Sequence, residues 1–514
     1  MQHAFARLFS FAEALLNRLF GRRLNPLNHL GALTIYMCWL VLISGIYVFF
    51  FFKTSIIGAY QSVEYLTHEQ WYLGGVMRSV HRYASDIAVV TFGLHLLKEY
   101  SHDRFRGARW YSWVTGIPLV WMLFILGITG YWLVWDRLAQ YVAIISAELI
   151  DVLPVFTDSM ARNFLTVDGL SDRFFTLLAF IHLVGLPLFL VFVIWVHVMR
   201  INNPRINPPR VLMIATAAGL VILGLFKPAL SQGPAQLDRA TGSIGLDWFF
   251  LHVYPLTDLW PEAGVWALLV GITVVLAALP LIYRRQALVT AEVDLGNCNG
   301  CSRCAHDCPF GAITMTPRSD GLPYAREATV DPAQCVSCGI CVGACPTATP
   351  FRMRSHFSPG IDLPDRSAPA LRQHLRGQAN GLGEAPRMVV FQCDNAPALE
   401  LPADCIRSRV RCLGHLPPPF IDYALNRIHA QGVFLLGCEG GDCKHRLGIE
   451  WTEQRISRER DPMLRRRVDR QRLAVSWADG GSVLENYQDF CARLKCLEES
   501  AEAVSAPRQD PAVV

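Results

Sequence analysis

The sequence predicts a multidomain chain: an all-α transmembrane helical bundle of six spans, then a small α+β module, then a small α/β module. Three observations predict it. Only 18% of the 514 residues are charged, against roughly 25% in ordinary soluble chains. Long apolar runs fill the first half and end by about Tyr283. All but one of the 16 cysteines lie at or beyond Cys298. With 52% hydrophobic residues and a net charge of +4, the chain is not disordered, and its charge gives no reason to expect nucleic acid as a partner.

Residues 1–28 place Phe5, Leu8, Phe9, Ala12, Leu15, Leu16 and Leu19 at helical spacing beside arginines, without a small-residue cleavage site. That pattern predicts an interfacial amphipathic helix, not a signal peptide. Apolar runs at 30–52, 110–135, 174–199, 211–226 and 263–283 mostly reach the roughly 20 residues of a spanning helix. A sixth run, 74–97, carries Arg78, His81, Arg82 and Asp86, and ionisable groups at membrane depth mark function. The main bundle is expected over 29–227, and an outer loop with the sixth span over 228–286. Basic residues set the orientation. Arg7, Arg18, Arg22, Arg23, Lys98, Arg104, Arg106, Arg109, Arg200, Arg205, Arg210, Arg284 and Arg285 fall on one side. They outnumber Lys53, Arg137, Arg162, Arg173, Lys227 and Arg239 on the other. Both termini are therefore expected in the cytoplasm.

His81 and His95 stand 14 apart in the second span, and His182 and His197 stand 15 apart in the fourth. At 3.6 residues per turn each pair returns close to one helix face, with its members ~21 Å apart along the axis. The two spans run parallel, so His81 meets His182 and His95 meets His197. The expectation is a haem-binding bundle with two b-type haems, each held by two histidines. Gly31 and Gly45 on the first span, and Gly116 and Gly130 on the third, are also 14 apart and would let flat macrocycles approach backbone at those depths. The competing reading, histidines hydrogen-bonded between helices, explains one histidine but not the set.

These residues resemble cytochrome b of the quinol-oxidising complexes, the chloroplast type especially. The resemblance is carried by Arg78-Ser-Val-His81-Arg82, Trp113-Val-Thr-Gly116, Gly130-Tyr-Trp-Leu-Val-Trp-Asp136 and His182 through His197. It implies that Arg78 pairs with a haem propionate; a helix-end arginine reaching to water is the alternative. It also implies that Asp247, in Leu246-Asp247-Trp248-Phe249-Phe250, stands where the family has a quinol proton acceptor, one methylene shorter here. Val134 replaces a family proline. His29 is a candidate to supply a quinone proton or hydrogen bond, or else a plain interfacial histidine; it stands where the chloroplast type has a haem-bearing cysteine, so a covalent third haem is not expected.

Cys298-x2-Cys301-x2-Cys304-x3-Cys308-Pro309 is followed by Cys335-x2-Cys338-x2-Cys341-x3-Cys345-Pro346. This doubled run is the bacterial ferredoxin pattern, in which the fourth cysteine crosses to the other cluster. An α+β ferredoxin-like domain is expected over 287–350. One [4Fe-4S] cluster would take Cys298, Cys301, Cys304 and Cys345, the other Cys335, Cys338, Cys341 and Cys308. Zinc is the rival for any single Cys-x2-Cys pair.

Residues 351–387 read as a linker or strap rich in Pro, Gly, Arg and Ser. Strand, helix and strand are expected near 388–391, 420–429 and 432–436. They make a small α/β iron-sulfur domain over 388–500, with a disordered tail at 501–514. Cys393, Cys412, Cys438 and Cys443 sit at strand ends; spacing alone leaves [2Fe-2S] and zinc open. Arg411-Cys-Leu-Gly414 and Gly432-Val-Phe-Leu-Leu-Gly-Cys438 through His445 resemble the delta subunit of methyl-viologen-reducing hydrogenases. That resemblance implies one [2Fe-2S] cluster and a flavoprotein partner of heterodisulfide reductase A type, and leaves Cys405 as an outside ligand candidate. Cys491 and Cys496 read as packing residues. The arginine-rich stretch from Arg455 to Arg472 reads as a solvated helix face, with docking to an acidic partner as the sharper reading.

The parts together predict a membrane-bound subunit of a quinone oxidoreductase in a bacterial cytoplasmic membrane, embedded in membrane lipid. It would pass electrons between a cytoplasmic flavoprotein and quinone as substrate, within a larger complex and as a probable homodimer. The alternatives are quinol-driven reduction of a low-potential acceptor, and a non-catalytic haem anchor for an electron carrier.

Overall fold

The computed structural model describes residues 2–154, 165, 170–202, 204–239, 242–282, 289–351, 357–438, 443–478 and 482–505. The chain forms two compact units, one of Met1–Arg200 with Pro204–Arg284, the other of Ile201–Asn203 with Arg285–Val514.

The first unit is helical. An N-terminal helix, α1 (Gln2–Phe20), buries Phe9 and Glu13, while Leu8, Phe11, Leu15 and Leu19 form an exposed stripe at helical spacing. The bundle contains α2 (Leu30–Phe51), α3 (Ile56–His68), α4 (Val76–Ser101), α5 (Trp110–Val134), α6 (Arg137–Asp151), α7 (Asp172–Val198), α8 (Arg210–Phe226) and α9 (Glu262–Ile282). Buried Glu13 of α1 pairs with Lys98 of α4, whose Nζ also donates to Leu27 O at 2.9 Å. Asp136 caps α6 by accepting from Ala139 N at 2.8 Å.

Six spans were expected. Among the described residues, four helices are long and apolar enough to cross a membrane: 26–51, α5, α7 and α9. The apolar helix α8 has 17 residues, short of the roughly 20 that a bilayer needs. The 26-residue α4 is long enough, but Arg78, Arg82, Asp86, Lys98 and Glu99 lower its apolar character. The all-α reading holds; the count by length and composition is four.

α7 contains a π-helical turn at Ile181–Gly185. Pro187 follows it, and a proline within a helix removes a donor and crowds the carbonyl four residues back. A π turn holds one extra residue. The 15-residue separation of His182 and His197 therefore does the geometric work of the 14 between His81 and His95.

The second unit is mixed. A ferredoxin-like half has hairpin β2 (Ile313–Pro317) with β3 (Arg326–Val330), short strands β1 (Glu292–Val293) and β4 (Ile361–Asp362) paired antiparallel, and helical turns α10 (Arg303–Asp307) and α11 (Ile340–Ala344). Residues flanking the second cysteine of each run are left-handed: Gly300 and Ser302 around Cys301, Ser337 and Gly339 around Cys338. At Gly300 a Cβ would stand 2.3 Å from Arg326 O, so only glycine fits.

The C-terminal half is a parallel sheet in the order β6-β5-β7-β8, from β5 (Met388–Cys393), β6 (Cys405–Val410), β7 (Gly432–Gly437) and β8 (Leu473–Trp477). α12 (Ala368–Leu382), α13 (Pro419–Asn426), α14 (Gly448–Ser457) and α15 (Ser482–Ser505) accompany it. The strand-helix-strand expectation holds, but β6 and β8 were not anticipated. β6 alternates buried Ile406, Ser408 and Val410 with exposed Arg407 and Arg409, as an edge strand does.

Three expectations are corrected here. The linker at 351–387 contains 15-residue α12, capped by Ser367 Oγ accepting from Ala370 N at 3.2 Å, and β4. Where a disordered tail was expected from 501, α15 continues to Ser505; residues 506–514 lie outside the described residues. The arginines of 455–472 do not form one solvated helix face: the helix ends at Ser457, and Arg466, Arg467 and Arg470 are exposed while others are engaged. Arg455 is 1% exposed and paired with Asp307, Arg465 and Arg467 meet buried Asp422, and Arg472 donates to the carbonyls of Ala430 and Gln431.

Candidate functional site

α2 packs along α4 and α5 along α7, and each glycine–histidine pair lies across one of these contacts. A Cβ at Gly45 would stand 2.8 Å from His81 Cε1, and one at Gly130 3.0 Å from His182 Cε1. At Gly31 it would stand 3.3 Å from His95, and at Gly116 3.3 Å from His197. The rings of His81 and His182 face each other with centroids 6.5 Å apart. Two imidazoles on opposite sides of one metal need about 6 Å, from metal–nitrogen bonds of about 2.0 Å plus the ring radii. The residues present therefore fit a bis-histidine haem at this level.

Hydroxyl groups orient three of the four rings, a feature the sequence reading missed. His182 Nδ1 meets Thr129 Oγ1 at 3.0 Å, and His197 Nδ1 meets Thr115 Oγ1 at 3.4 Å. His81 Nδ1 meets Val41 O at 2.9 Å and Ser44 Oγ at 3.3 Å. Each engaged Nδ1 leaves Nε2 available to a metal, the usual way an outer contact fixes a ligand histidine. The available signal was the Ser or Thr immediately before Gly45, Gly116 and Gly130.

Asp247 is buried, 7% exposed, beside the His81–His182 level. Arg82, next to His81, pairs with Asp247 and bonds Asp86 at 2.6 Å. Tyr131, next to Gly130, donates its hydroxyl to Asp247 and lies beneath the Arg82 guanidinium at 5.0 Å. In the sequence Arg82 and Asp86 stand out as charges in a span, and Arg82 and Tyr131 as members of the motifs that carry the resemblance, but none of the three as a partner of Asp247. Arg78 is buried and bonds Thr67 Oγ1, Ser231 Oγ at 2.7 Å and Glu64 Oε1 at 3.5 Å. His29 closes a 3₁₀ turn two residues before Gly31 and contacts Arg23 O at 3.0 Å.

In the second unit Cys298, Cys301, Cys304 and Cys345 together line one small pocket. This is the quartet expected for the first cubane, including the cysteine from the second run. Burial, then Cys345, Cys301 and Cys298, push the Cys304 thiol up to about 12. Burial first, with Cys338, Cys308, Cys304 and Cys335 close by, pushes Cys341 up. Thiols held this way need a metal to lose their protons. Among the described residues no three His, Cys, Asp or Glu side chains close on a single ion. Cys298, Cys301, Cys304 and Cys345 instead share the lining of one pocket, an arrangement that suits a multi-iron cluster more than a single ion.

Cys393 ends β5, Cys438 follows β7, and Cys412 lies two residues beyond β6, all at the C-terminal edge of the parallel sheet. Their thiols touch in series. A contact with Cys438 pulls Cys393 down, and contacts with Cys412 and then Cys438 pull Cys443 down. Cys405 starts β6 opposite Met388, at the far edge of the sheet. Six residues at about 3.3 Å each separate it from Cys412, which sets Cys405 apart from the other four cysteines. Cys491 packs half-buried beside Tyr487 and Phe490. Glu439, Gly440, Gly441 and Asp442 lie outside the described residues.

Residues 16–204 match the family profile Cytochrome b/b6/petB, residues 297–349 the 4Fe-4S dicluster domain, and residues 390–498 the methyl-viologen-reducing hydrogenase delta subunit. Cytochrome b6 of Synechococcus sp. (strain RCC307) is 28% identical over 181 residues, 35% of this chain and 82% of that protein. Cytochrome b6 of Prochlorococcus marinus (strain MIT 9303) is 29% identical over the same shares. A solved structure titled hyperthermophilic respiratory Complex III aligns with a TM-score of 0.42 and 18% identity, covering 50% of this chain and 75% of its own. The cytochrome b match implies haem and the dicluster match implies [4Fe-4S] clusters. The chain is a multi-pass membrane electron-transfer subunit.

Proposed function

We propose that the chain exchanges electrons between a cytoplasmic flavoprotein of heterodisulfide reductase A type and membrane quinone, in a bacterial cytoplasmic membrane. The reading takes six spans, cytoplasmic iron-sulfur domains, two b haems, two [4Fe-4S] clusters and a [2Fe-2S] cluster on Cys393, Cys412, Cys438 and Cys443. The observation that carries it is the coincidence of Asp247, Arg82 and Tyr131 with the His81–His182 level.

Haems and clusters, when bound, carry single electrons. His81 with His182, and His95 with His197, would hold the haems. A quinone also exchanges protons, and Asp247 is the buried carboxylate placed to take or return one. Arg82 compensates its burial, which an unpaired carboxylate would not tolerate. Tyr131 orients it through the hydroxyl. Asp86, on the other side of Arg82, offers the next proton acceptor.

Quinol-driven reduction of a cytoplasmic acceptor uses the same groups in reverse. A non-catalytic anchor would not need Asp247 buried beside a haem level. The test is to reduce the haems of the purified protein with dithionite, remove the excess, and add a soluble ubiquinone or menaquinone analogue. Rapid reoxidation supports the reading. Haems unresponsive to every quinone sink it and leave the anchor.

A further inference from the structure

Among the described residues Arg455 is the largest fully buried side chain, 1% exposed, and it takes no part in the proposed function. Its guanidinium touches three segments. Nη1 donates to Gly414 O at 2.8 Å, two residues beyond Cys412. Nη2 donates to Asp307 Oδ2 at 2.5 Å, immediately before Cys308, and to Ile340 O at 3.5 Å, immediately before Cys341. Arg460 holds the other Asp307 oxygen at 2.5 Å. The cation thus stands between the second cubane quartet and the C-terminal quartet.

The surrounding backbone is packed as closely as side chains permit. A Cβ at Gly343 would stand 2.0 Å from Gly414 O and 2.6 Å from Arg455 Nη1. One at Gly448 would stand 2.2 Å from Cys412 Sγ and 3.3 Å from Cys443 Sγ. Gly414 in turn lies against Gly448 and Ile340. Cys304 shares its pocket with Cys298, Cys301 and Cys345.

We propose that Arg455 is a positioning residue that joins the C-terminal cluster to the second cubane and sets the potentials of both, so that the C-terminal cluster exchanges electrons with the second cubane and reaches the first only through it. One electron leaves one centre and reduces the other, with no bond formed and no proton moved. The cation favours the reduced, more negative state of each centre; Asp307 opposes it beside Cys308 only. This inference rests on the iron-sulfur part of the proposed function and is independent of quinone.

The test is a mediator-equilibrated redox titration, followed by electron paramagnetic resonance, of the full-length protein carrying haems and clusters. Arg455→Gln should lower the potentials of the C-terminal cluster and of the cubane magnetically coupled to it. The expected size is on the order of tenfold in the reduction constant, about 59 mV for one electron. Asp307→Asn should raise the potential of that cubane. Arg455→Lys should stay near the parent, and the other cubane and the haems should not move. Shifts of the same sign in Arg455→Gln and Asp307→Asn would overturn the proposal, as would magnetic coupling of the C-terminal cluster to the first cubane. If Arg455→Gln fails to assemble clusters, Asp307→Asn and Arg455→Lys decide: a raised potential in the first with a parental value in the second supports it, and any other result overturns it. A protein that reacts with no quinone can still show the opposed shifts, so the two proposals fail separately.

Discussion

Substituting Gly45 by alanine tests the haem reading most directly, because the cost follows from the structure. The new Cβ would stand 2.8 Å from His81 Cε1 and 3.1 Å from Nδ1. Nδ1 is also tied to Val41 O at 2.9 Å and Ser44 Oγ at 3.3 Å, so the ring cannot simply swing away. Overpacking of this kind costs about 1–3 kcal/mol. At about 1.4 kcal/mol per tenfold, that weakens haem retention about 5- to 150-fold. At Gly31 the approach to His95 is 3.3 Å, and a ring can give by a few tenths of an ångström. Gly31→Ala should therefore cost less than about 1 kcal/mol, under about fivefold. The assay is haem per polypeptide by pyridine haemochrome, with low-spin ferric signals counted by electron paramagnetic resonance. Gly45→Ala should lose or distort one centre, and Gly31→Ala should keep both. Full haem content in Gly45→Ala together with a lost haem in Gly31→Ala would refute the assignment of these glycines to histidine levels.

Other outcomes follow from the same geometry. Asp247→Asn should leave both haems in place and slow quinone-dependent haem reoxidation about 10²- to 10⁴-fold, the usual weight of a positioned acid or base; parental rates in stopped flow would remove Asp247 from proton transfer. Thr129→Val removes the partner of His182 Nδ1 at 3.0 Å, a hydrogen bond of about 1 kcal/mol. The potential of the haem at the His81–His182 level should rise by about 40 mV in a titration, with that at the His95–His197 level unmoved. Cys412→Ser should lower iron per polypeptide and erase the C-terminal signal, whereas Cys405→Ser should change neither; iron loss in the second variant would move the ligand set to the far edge of the sheet.

The elements that the sequence made legible are those with a strict period or spacing. The 14-residue recurrences of His81 with His95, Gly31 with Gly45 and Gly116 with Gly130 survive as physical juxtapositions. The exchange of Cys345 into the first quartet follows from two short runs and appears as the lining of one cavity. Charge was the poor guide. Arg455 looked solvated because a linear pattern carries no information about Asp307, 148 residues away, which neutralises it. α12 was read as linker because its helix-breaking Gly and Pro residues weigh against it, while its stability comes from the Ser367 cap and a buried Leu375. β6 hid behind its alternating arginines. The π turn in α7 was legible only as one surplus residue between two histidines, and Pro187 is the local reason it forms there.

Adjacent residues on an α-helix point about 100° apart, and this couples electron and proton handling at the His81–His182 level. His81 faces the bundle interior, so Arg82 must face the next sector, where it meets Asp247. Gly130 faces His182, so Tyr131 also turns toward Asp247. The two helices that fix the imidazoles thereby fix the proton-handling groups, one residue along the chain in each case. A rotation of α4 or α5 that moved a histidine off the haem axis would also pull Arg82 or Tyr131 away from the carboxylate. The loop bearing Asp247 is tied in turn by Phe249 N donating to Oδ1 at 2.8 Å and by Phe250, whose ring occupies the space left by the missing side chain of Gly127. Gly127→Ala would put a Cβ 2.2 Å from the Phe250 ring. It should therefore displace Asp247 and slow quinone turnover while leaving the histidine-held centres spectroscopically intact, which separates the proton arm from the electron arm without touching either set of chemical groups.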